Sequence, residues 1–275
     1  MPFSPQEFAL KEDYTFDDLL ALVRFLRSPA GCEWDRAQTH ASVRHNLLEE
    51  AYEVAEGIDC DDPRILREEL GDFLFQAAFH TVMEEEQGRS TAQEVLRDVC
   101  RKMVNRHPHL FLAENEHLSA EEVPARWEEI KRREKGHGRV SDSMQALPGT
   151  LPALMFAQKM AGKAARAGFS YDSADEAMEK VAEEWQELAA AKTKEEQEEE
   201  LGDMLFALVN YARFLELDAE ETLAKAAKKF CRRFAAIEEN LALSGREMAN
   251  CTKKDLLFAW NNQKNTEKST KIAKI

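Results

Sequence analysis

Two segments constrain this chain more than any other feature: "REELGDFLFQAAFH" (Arg67–His80) and "EEELGDMLFALVNYARF" (Glu198–Phe214). Each sets a glutamate, a Leu-Gly pair and an aspartate directly against a strongly apolar run. Three more blocks recur in the same order. "LLEEAYEV" (Leu47–Val54) matches "VAEEWQEL" (Val181–Leu188), and "KMVNRHPHLF" (Lys102–Phe111) matches "KKFCRRFAAI" (Lys228–Ile237). "RWEEIK" (Arg126–Lys131) matches "AWNNQK" (Ala259–Lys264). Glu50 thereby pairs with Glu184, Glu69 with Glu200, Lys102 with Lys229, Arg106 with Arg233 and Trp127 with Trp260. Ordered self-similarity of this kind is the mark of a duplicated structural module.

The module is helical. Long stretches carry apolar residues at helical spacing, and no stretch alternates as a half-buried strand does. The prolines Pro29, Pro63, Pro108, Pro124, Pro148 and Pro152 fall where helices are expected to break. The reading is an all-α chain: one module over residues 1–135, a linker over 136–150, a second module over 151–264, and a flexible polar tail over 265–275. A formal net charge of −15 argues against broad binding to nucleic acid or an anionic membrane. Five cysteines without a C-x-x-C motif fit a reducing cytoplasm better than a disulfide framework. The first residues lack the basic and apolar regions of a signal peptide, and no apolar run approaches the ~18–20 residues that span a bilayer.

The acids carry the chemistry. Residues three or four apart share a helix face, so Glu50 and Glu53, and likewise Glu184 and Glu187, point the same way. On the following helix Glu69, Asp72, Gln76 and His80 form one narrow stripe, and apolar residues fill most of the remaining circumference. A helix apolar nearly all round is expected to be buried. Carboxylates on its polar stripe then need protons, partners or a metal, because burying them unpaired costs several kcal/mol. Two antiparallel helices can converge Glu50, Glu53, Glu69 and Asp72 in the first copy, and Glu184, Glu187, Glu200 and Asp203 in the second. An all-oxygen set suits a hard cation, Mg²⁺ or Mn²⁺. The Glu-x-x-His spacing of di-iron bundles is missing, which weighs against a di-metal oxidase.

The EExxE and ExxD pairs, together with "GCEWDRAQTH" (Gly31–His40), "RHPHLF" (Arg106–Phe111) and "LPALMFAQK" (Leu151–Lys159), resemble the MazG family of nucleoside triphosphate pyrophosphohydrolases. The resemblance covers nearly the whole chain, including its tandem arrangement. It implies an all-α tandem repeat of MazG-type helical bundles, a homodimer, and Mg²⁺-dependent hydrolysis of nucleoside triphosphates to monophosphate and pyrophosphate. It also implies that Glu184, Glu187, Glu200 and Asp203 hold metal, that Lys229 and Arg233 meet phosphates, and that Trp260 meets the nucleotide. The first copy offers Glu50, Glu53, Glu69, Asp72, Lys102, Arg106 and Trp127 at matching positions. The second copy is expected to be the main catalytic one.

Elementary chemistry agrees. A triphosphate carries about four negative charges near neutral pH, so carboxylates repel it until divalent cations reverse the local sign. Glu183 or Glu184 is the candidate base for the attacking water, and Glu183 is the one left outside the metal set. Lys229 and Arg233, four residues apart on one face, suit phosphate oxygens, and Lys180 lies three and four residues before the two candidate bases. The rings of Trp127 and Trp260 can stack on a base. Trp34 can line a pocket near the first acid set, and His107 and His109 are expected to hold a turn around Pro108. The alternative is a helical protein that binds metal-nucleotide for regulation without turnover.

Overall fold

The structure, a computed structural model, describes residues 4–111, 119, 123–134, 136 and 139–272, without the side chains of 124, 125, 128, 129, 132 and 267–272. Parts of the expected linker (137 and 138) and tail (273–275) lie outside the described residues. Among those described there is no β-strand, and the chain divides into two compact units between Lys131 and Arg132.

The first unit contains α1 (Pro5–Ala9), α2 (Phe16–Leu26), α3 (Glu33–Ala37), α4 (Arg44–Asp59), α5 (Pro63–Glu86), α6 (Ala92–Arg106), α7 (Pro108–Phe111) and most of α8 (Val123–Glu134). Local chemistry sets the boundaries. Thr15 with Asp18 and Thr91 with Glu94 form reciprocal capping boxes that start α2 and α6. Asp62 caps α5 just ahead of Pro63, whose missing N–H costs nothing at a helix start. The three residues between α4 and α5 force a hairpin, and the two helices lie side by side. Gly57 permits this approach, since a Cβ there would sit 2.9 Å from the Leu66 Cα.

The core of the first unit lies toward the C-terminal half of α5, where Ala78, Phe79, Val82 and Met83 meet Leu20 and Val23 of α2, with Val43 and Ala92. Arg27 is buried beside it. Its guanidinium donates to both Glu86 carboxylate oxygens (2.9 and 2.8 Å) and to the Asp35 carbonyl (2.5 Å), and it lies 5.0 Å from the Phe79 ring centre. One side chain thus fastens the 28–43 segment, which the second module lacks, onto α5. Gly31 makes the turn possible: a Cβ there would fall 2.1 Å from the Phe25 carbonyl oxygen.

The second unit contains α9 (Val140–Gln145), α10 (Ala153–Arg166), α11 (Ala174–Ala190), α12 (Lys194–Phe214), α13 (Ala219–Leu243), a 3₁₀ turn at Met248–Asn250, and α14 (Lys253–Ile272). Its plan repeats the first. The α11–α12 hairpin corresponds to α4–α5, α10 packs on α12 as α2 packs on α5, and α13 and α14 follow in the chain order of α6 and α8. Gln158 joins α10 to the start of α13, donating to the Leu217 carbonyl and accepting from the Ala219 N–H (2.9 and 2.8 Å). The segment expected to be a plain linker carries α9, which packs against α10, and α14 continues past residue 264 to Ile272.

One expectation is corrected. α5 and α12 are not buried all round: Leu70 is 43% exposed, Leu74 47%, Leu205 45% and Phe206 44%. The reason is topological. Among the described residues each hairpin packs chiefly on α2 or α10, with lighter contact from α6 or α13, and much of the apolar surface near the acids stays open.

Candidate functional site

In each unit the hairpin gathers carboxylates from two helices. Glu50 of α4 meets Glu69 and Asp72 of α5, and Glu184 of α11 meets Glu200 and Asp203 of α12; in each triad the ligand oxygens lie within 4.8 Å of one another. These are the clusters of metal-ligating side chains found among the described residues. Glu53 and Glu187 stand outside the triads yet are close enough to bear on them: Glu53 on Glu50 and Glu69, Glu187 on Glu200. Burial first, and then the neighbouring acids, push the carboxyls of Glu50, Glu69 and Glu200 above the ordinary glutamate range.

The second triad is the more enclosed. Glu184 is only 5% exposed, and its Oε2 is buried without a hydrogen-bond partner. A buried polar oxygen left without a partner carries a desolvation penalty of about 1–3 kcal/mol, more on a charged group. Its other oxygen, Oε1, lies 2.7 Å from the Lys180 Nζ, which also sits 3.0 Å from the exposed Glu183. Hydrogen bonds to Glu184 and then Glu183 hold the Lys180 ammonium well above the usual lysine range. An orphaned oxygen beside Glu200 and Asp203 is what a hard cation would satisfy, so the donor set fits a divalent metal.

The basic and aromatic residues form a second group in each unit. Arg106 of α6 lies 5.7 Å from the Trp127 ring centre, and Arg233 of α13 lies 5.8 Å from that of Trp260. Lys131, one turn along α8 from Trp127, places its Nζ 4.7 Å from that ring centre, and the Phe230 ring centre sits 5.0 Å from that of Trp260. Lys229 and Arg233 were visible as a same-face pair, but only the folded helices show which ring the arginine meets. Lys102 and Lys229 are exposed on the same helices, one turn before Arg106 and Arg233. α6 packs on α5, and α13 on α12, which joins each basic helix to an acid-bearing one.

One side chain falls elsewhere than the helical stripe suggested. His80 does not join the acids; its Nδ1 lies 2.7 Å from the Nδ1 of His40, with the rings stacked. His40 Nε2 is in turn 2.8 Å from Glu84 Oε1, an ion-pair distance without hydrogen-bond alignment. The pair is another fastening of the 28–43 segment to α5. Trp34 is 64% exposed on α3. His107 closes α6, its Nδ1 2.6 Å from the Met103 carbonyl, and its ring lies 5.9 Å from that of Trp127.

The pH dependence follows from the raised carboxyls. Without metal, their contribution to stability is present below the ordinary glutamate range and is lost as pH rises through their raised values. Metal binding has the opposite sign, since ligands must be deprotonated. The gain in melting temperature on adding Mg²⁺ or Mn²⁺ is therefore expected to grow as pH rises through that window. Calorimetry with and without the ion measures it, and a gain independent of pH would speak against these acids as ligands.

Comparison with known proteins agrees with the duplicated plan. The family description "MazG nucleotide pyrophosphohydrolase domain" matches residues 38–111 and again 172–236, spanning the α4–α5 and α11–α12 hairpins. A Thermotoga maritima protein named nucleoside triphosphate pyrophosphohydrolase/pyrophosphatase MazG is 41% identical over 230 residues, 84% of this chain and 88% of that protein. The Escherichia coli K12 nucleoside triphosphate pyrophosphohydrolase is 39% identical over 257 residues, 91% of this chain and 97% of that one. Bacillus subtilis YabN, described as uncharacterized, is 39% identical over 259 residues, 93% of this chain and 53% of that protein. Two family matches in register with two carboxylate hairpins, and full-length relatives of about 40% identity, place this all-α tandem repeat in the MazG nucleotide pyrophosphohydrolase family.

Proposed function

We propose that the protein is a Mg²⁺-dependent nucleoside triphosphate pyrophosphohydrolase, converting NTP or dNTP and water to the monophosphate and pyrophosphate. The observation that carries this is the repetition, in both units, of a two-helix carboxylate triad together with an arginine lying over a tryptophan ring. A triad alone would bind cations, and an Arg–Trp pair alone would stiffen a helix contact. Their joint recurrence matches the two ends of a nucleotide, polyphosphate and base.

In the second unit Glu184, Glu187, Glu200 and Asp203 would hold the metal. When bound, Mg²⁺, or Mn²⁺ in its place, supplies charge that offsets the triphosphate and lowers the pKa of a coordinated water. Lys229 and Arg233 hold phosphate oxygens, Arg through its planar fork. Lys180, already beside Glu183 and Glu184, shares that role at the rim. Trp260 takes the base. Water oxygen attacks the α-phosphorus, the bond from that phosphorus to the bridging oxygen breaks, and pyrophosphate leaves with the electron pair. Glu183 accepts the water proton, with Glu184 as the alternative acceptor. Lys102, Arg106, Trp127, Glu50, Glu53, Glu69 and Asp72 form the corresponding set in the first unit.

The test is a panel of NTPs and dNTPs with Mg²⁺, read as pyrophosphate and monophosphate. Binding without turnover would favour the regulatory reading, and release of single phosphates would contradict the bond assignment. Nucleotide-pool cleansing or control of nucleotide levels is the role that broad turnover would serve. Among the described residues no helix is long and apolar enough to cross a membrane. The free cysteines, four of the five exposed, fit a reducing cytoplasm, which cell fractionation would check.

We further infer a homodimer, from the apolar surface left open on α5 and α12 beside the acids. Sedimentation is expected to give twice the chain mass of 31.4 kDa. Charges introduced by Leu74→Glu and Phe206→Glu are expected to shift the protein toward monomer. A wild type that sediments as one chain at micromolar concentration would refute this.

A further inference from the structure

Four residues before the first triad acid, the two cradles differ in charge. Lys180 stands four residues before Glu184 on α11, and at the same step before Glu50 on α4 stands Asn46. In the second unit the ammonium occupies Glu184 Oε1 at 2.7 Å and leaves the buried Oε2 as the oxygen without a partner. In the first unit Glu50 has no ion-pair partner among the described residues, and it faces Glu53, Glu69 and Asp72. The remaining acids correspond one to one: Glu49 with Glu183, Glu53 with Glu187, Glu69 with Glu200, Asp72 with Asp203.

We propose that Lys180 and Asn46 set unequal cation affinities in the two units, so that the first unit holds a divalent ion on its own while the second takes its ion together with a triphosphate. This rests on the reading of both triads as metal sites. The argument is electrostatic. A fixed ammonium a few ångströms from a divalent ion repels it and already neutralises one of the acids that would attract it. Fixing the rotamer of Glu184 works the other way, by sparing side-chain entropy, but that gain is smaller than the effect of a full charge at this distance. A triphosphate reverses the balance in the second unit. Its oxygens offer the Lys180 ammonium another partner and bring additional negative charge for the ion. In the first unit Asn46 offers no such charge, so the ion gains less from a nucleotide. Lys180 is thus a positioning and selecting residue as well as a phosphate contact.

The test is calorimetric titration of the full chain with Mn²⁺ alone, and again with a non-hydrolysable triphosphate present. Without nucleotide, wild type is expected to show a tighter and a weaker class of site. Glu50→Gln is expected to remove the tighter class and Glu184→Gln the weaker. Lys180→Asn is expected to tighten the weaker class by about tenfold, the scale for removing one charge a few ångströms from the ion, and to weaken triphosphate binding. Lys180→Arg keeps the charge and is expected to retain the wild-type Mn²⁺ affinity, which a role confined to helix packing would not explain. Asn46→Lys is expected to weaken the tighter class, with circular dichroism confirming the fold. An unchanged or weaker second-unit affinity in Lys180→Asn, or loss of the tighter class in Glu184→Gln, would overturn the proposal while leaving the metal sites standing. Failure of wild type to bind Mn²⁺ under either condition would instead refute the metal reading on which it rests.

Discussion

Glu184→Gln is expected to lower pyrophosphate release by about 10³-fold, equivalent to roughly 4 kcal/mol of transition-state stabilisation. The substitution keeps the shape of a side chain that is 5% exposed and can still accept from Lys180, but it removes the charge and turns half of the carboxylate into a donor. A donor facing Glu200 and Asp203 satisfies those acids directly and displaces the cation they would share. The loss should therefore fall on turnover and on the metal concentration needed for it, with the fold intact by circular dichroism. Glu50→Gln, the matching change in the first unit, is expected to cost less than about tenfold if the second unit carries most of the activity. Full activity in Glu184→Gln combined with its loss in Glu50→Gln would reverse the assignment of roles to the two units. The double variant separates a shared function from two independent ones, since independent sites lose activity additively.

Much of this arrangement was legible in the sequence because it is written twice. One EExxE segment is a plausible solvated helix face. Two of them, each followed by ExxD against an apolar run, fix the helix, the face and the partner helix together. Spacing alone thus brought Glu50 to Glu69 and Asp72, and Glu184 to Glu200 and Asp203. What spacing could not give was position around the rest of the helix. His80 lies on the same angular stripe as Asp72, yet it meets His40, which comes from a segment with no counterpart in the second module. Likewise Arg27, just past the end of α2, is a buried fastener only because the 28–43 segment folds back over it. The exposed apolar faces of α5 and α12 have a different origin. Hydrophobic periodicity reports that a face seeks cover, and it does not report whether the cover comes from the same chain.

Phe79→Ala is expected to cost the first unit about 3–5 kcal/mol, the range for deleting a buried aromatic ring and leaving a cavity. Phe79 is 2% exposed at the centre of that unit's core, with the Phe75 ring centre 5.7 Å away and the Arg27 guanidinium 5.0 Å away. Removing the ring also takes away the face on which a buried cation rests, so the 28–43 segment should loosen with the core. The second unit builds its core from Ala161, Ala177, Ala207, Val209, Ile237 and Leu241, none of which belongs to this cluster. Calorimetry is therefore expected to show two transitions in wild type, one of which falls by roughly 10–20 °C in the variant while the other stays within a few degrees. Pyrophosphate release assayed below the lower transition is expected to persist, because Glu184, Glu200 and Asp203 are held by α11 and α12 alone. A single transition that moves as a whole, with activity lost in step, would mean that the two modules fold as one cooperative body. In that case each carboxylate hairpin would depend on the other module for its geometry, and variants in the first unit would have to be read as effects on both.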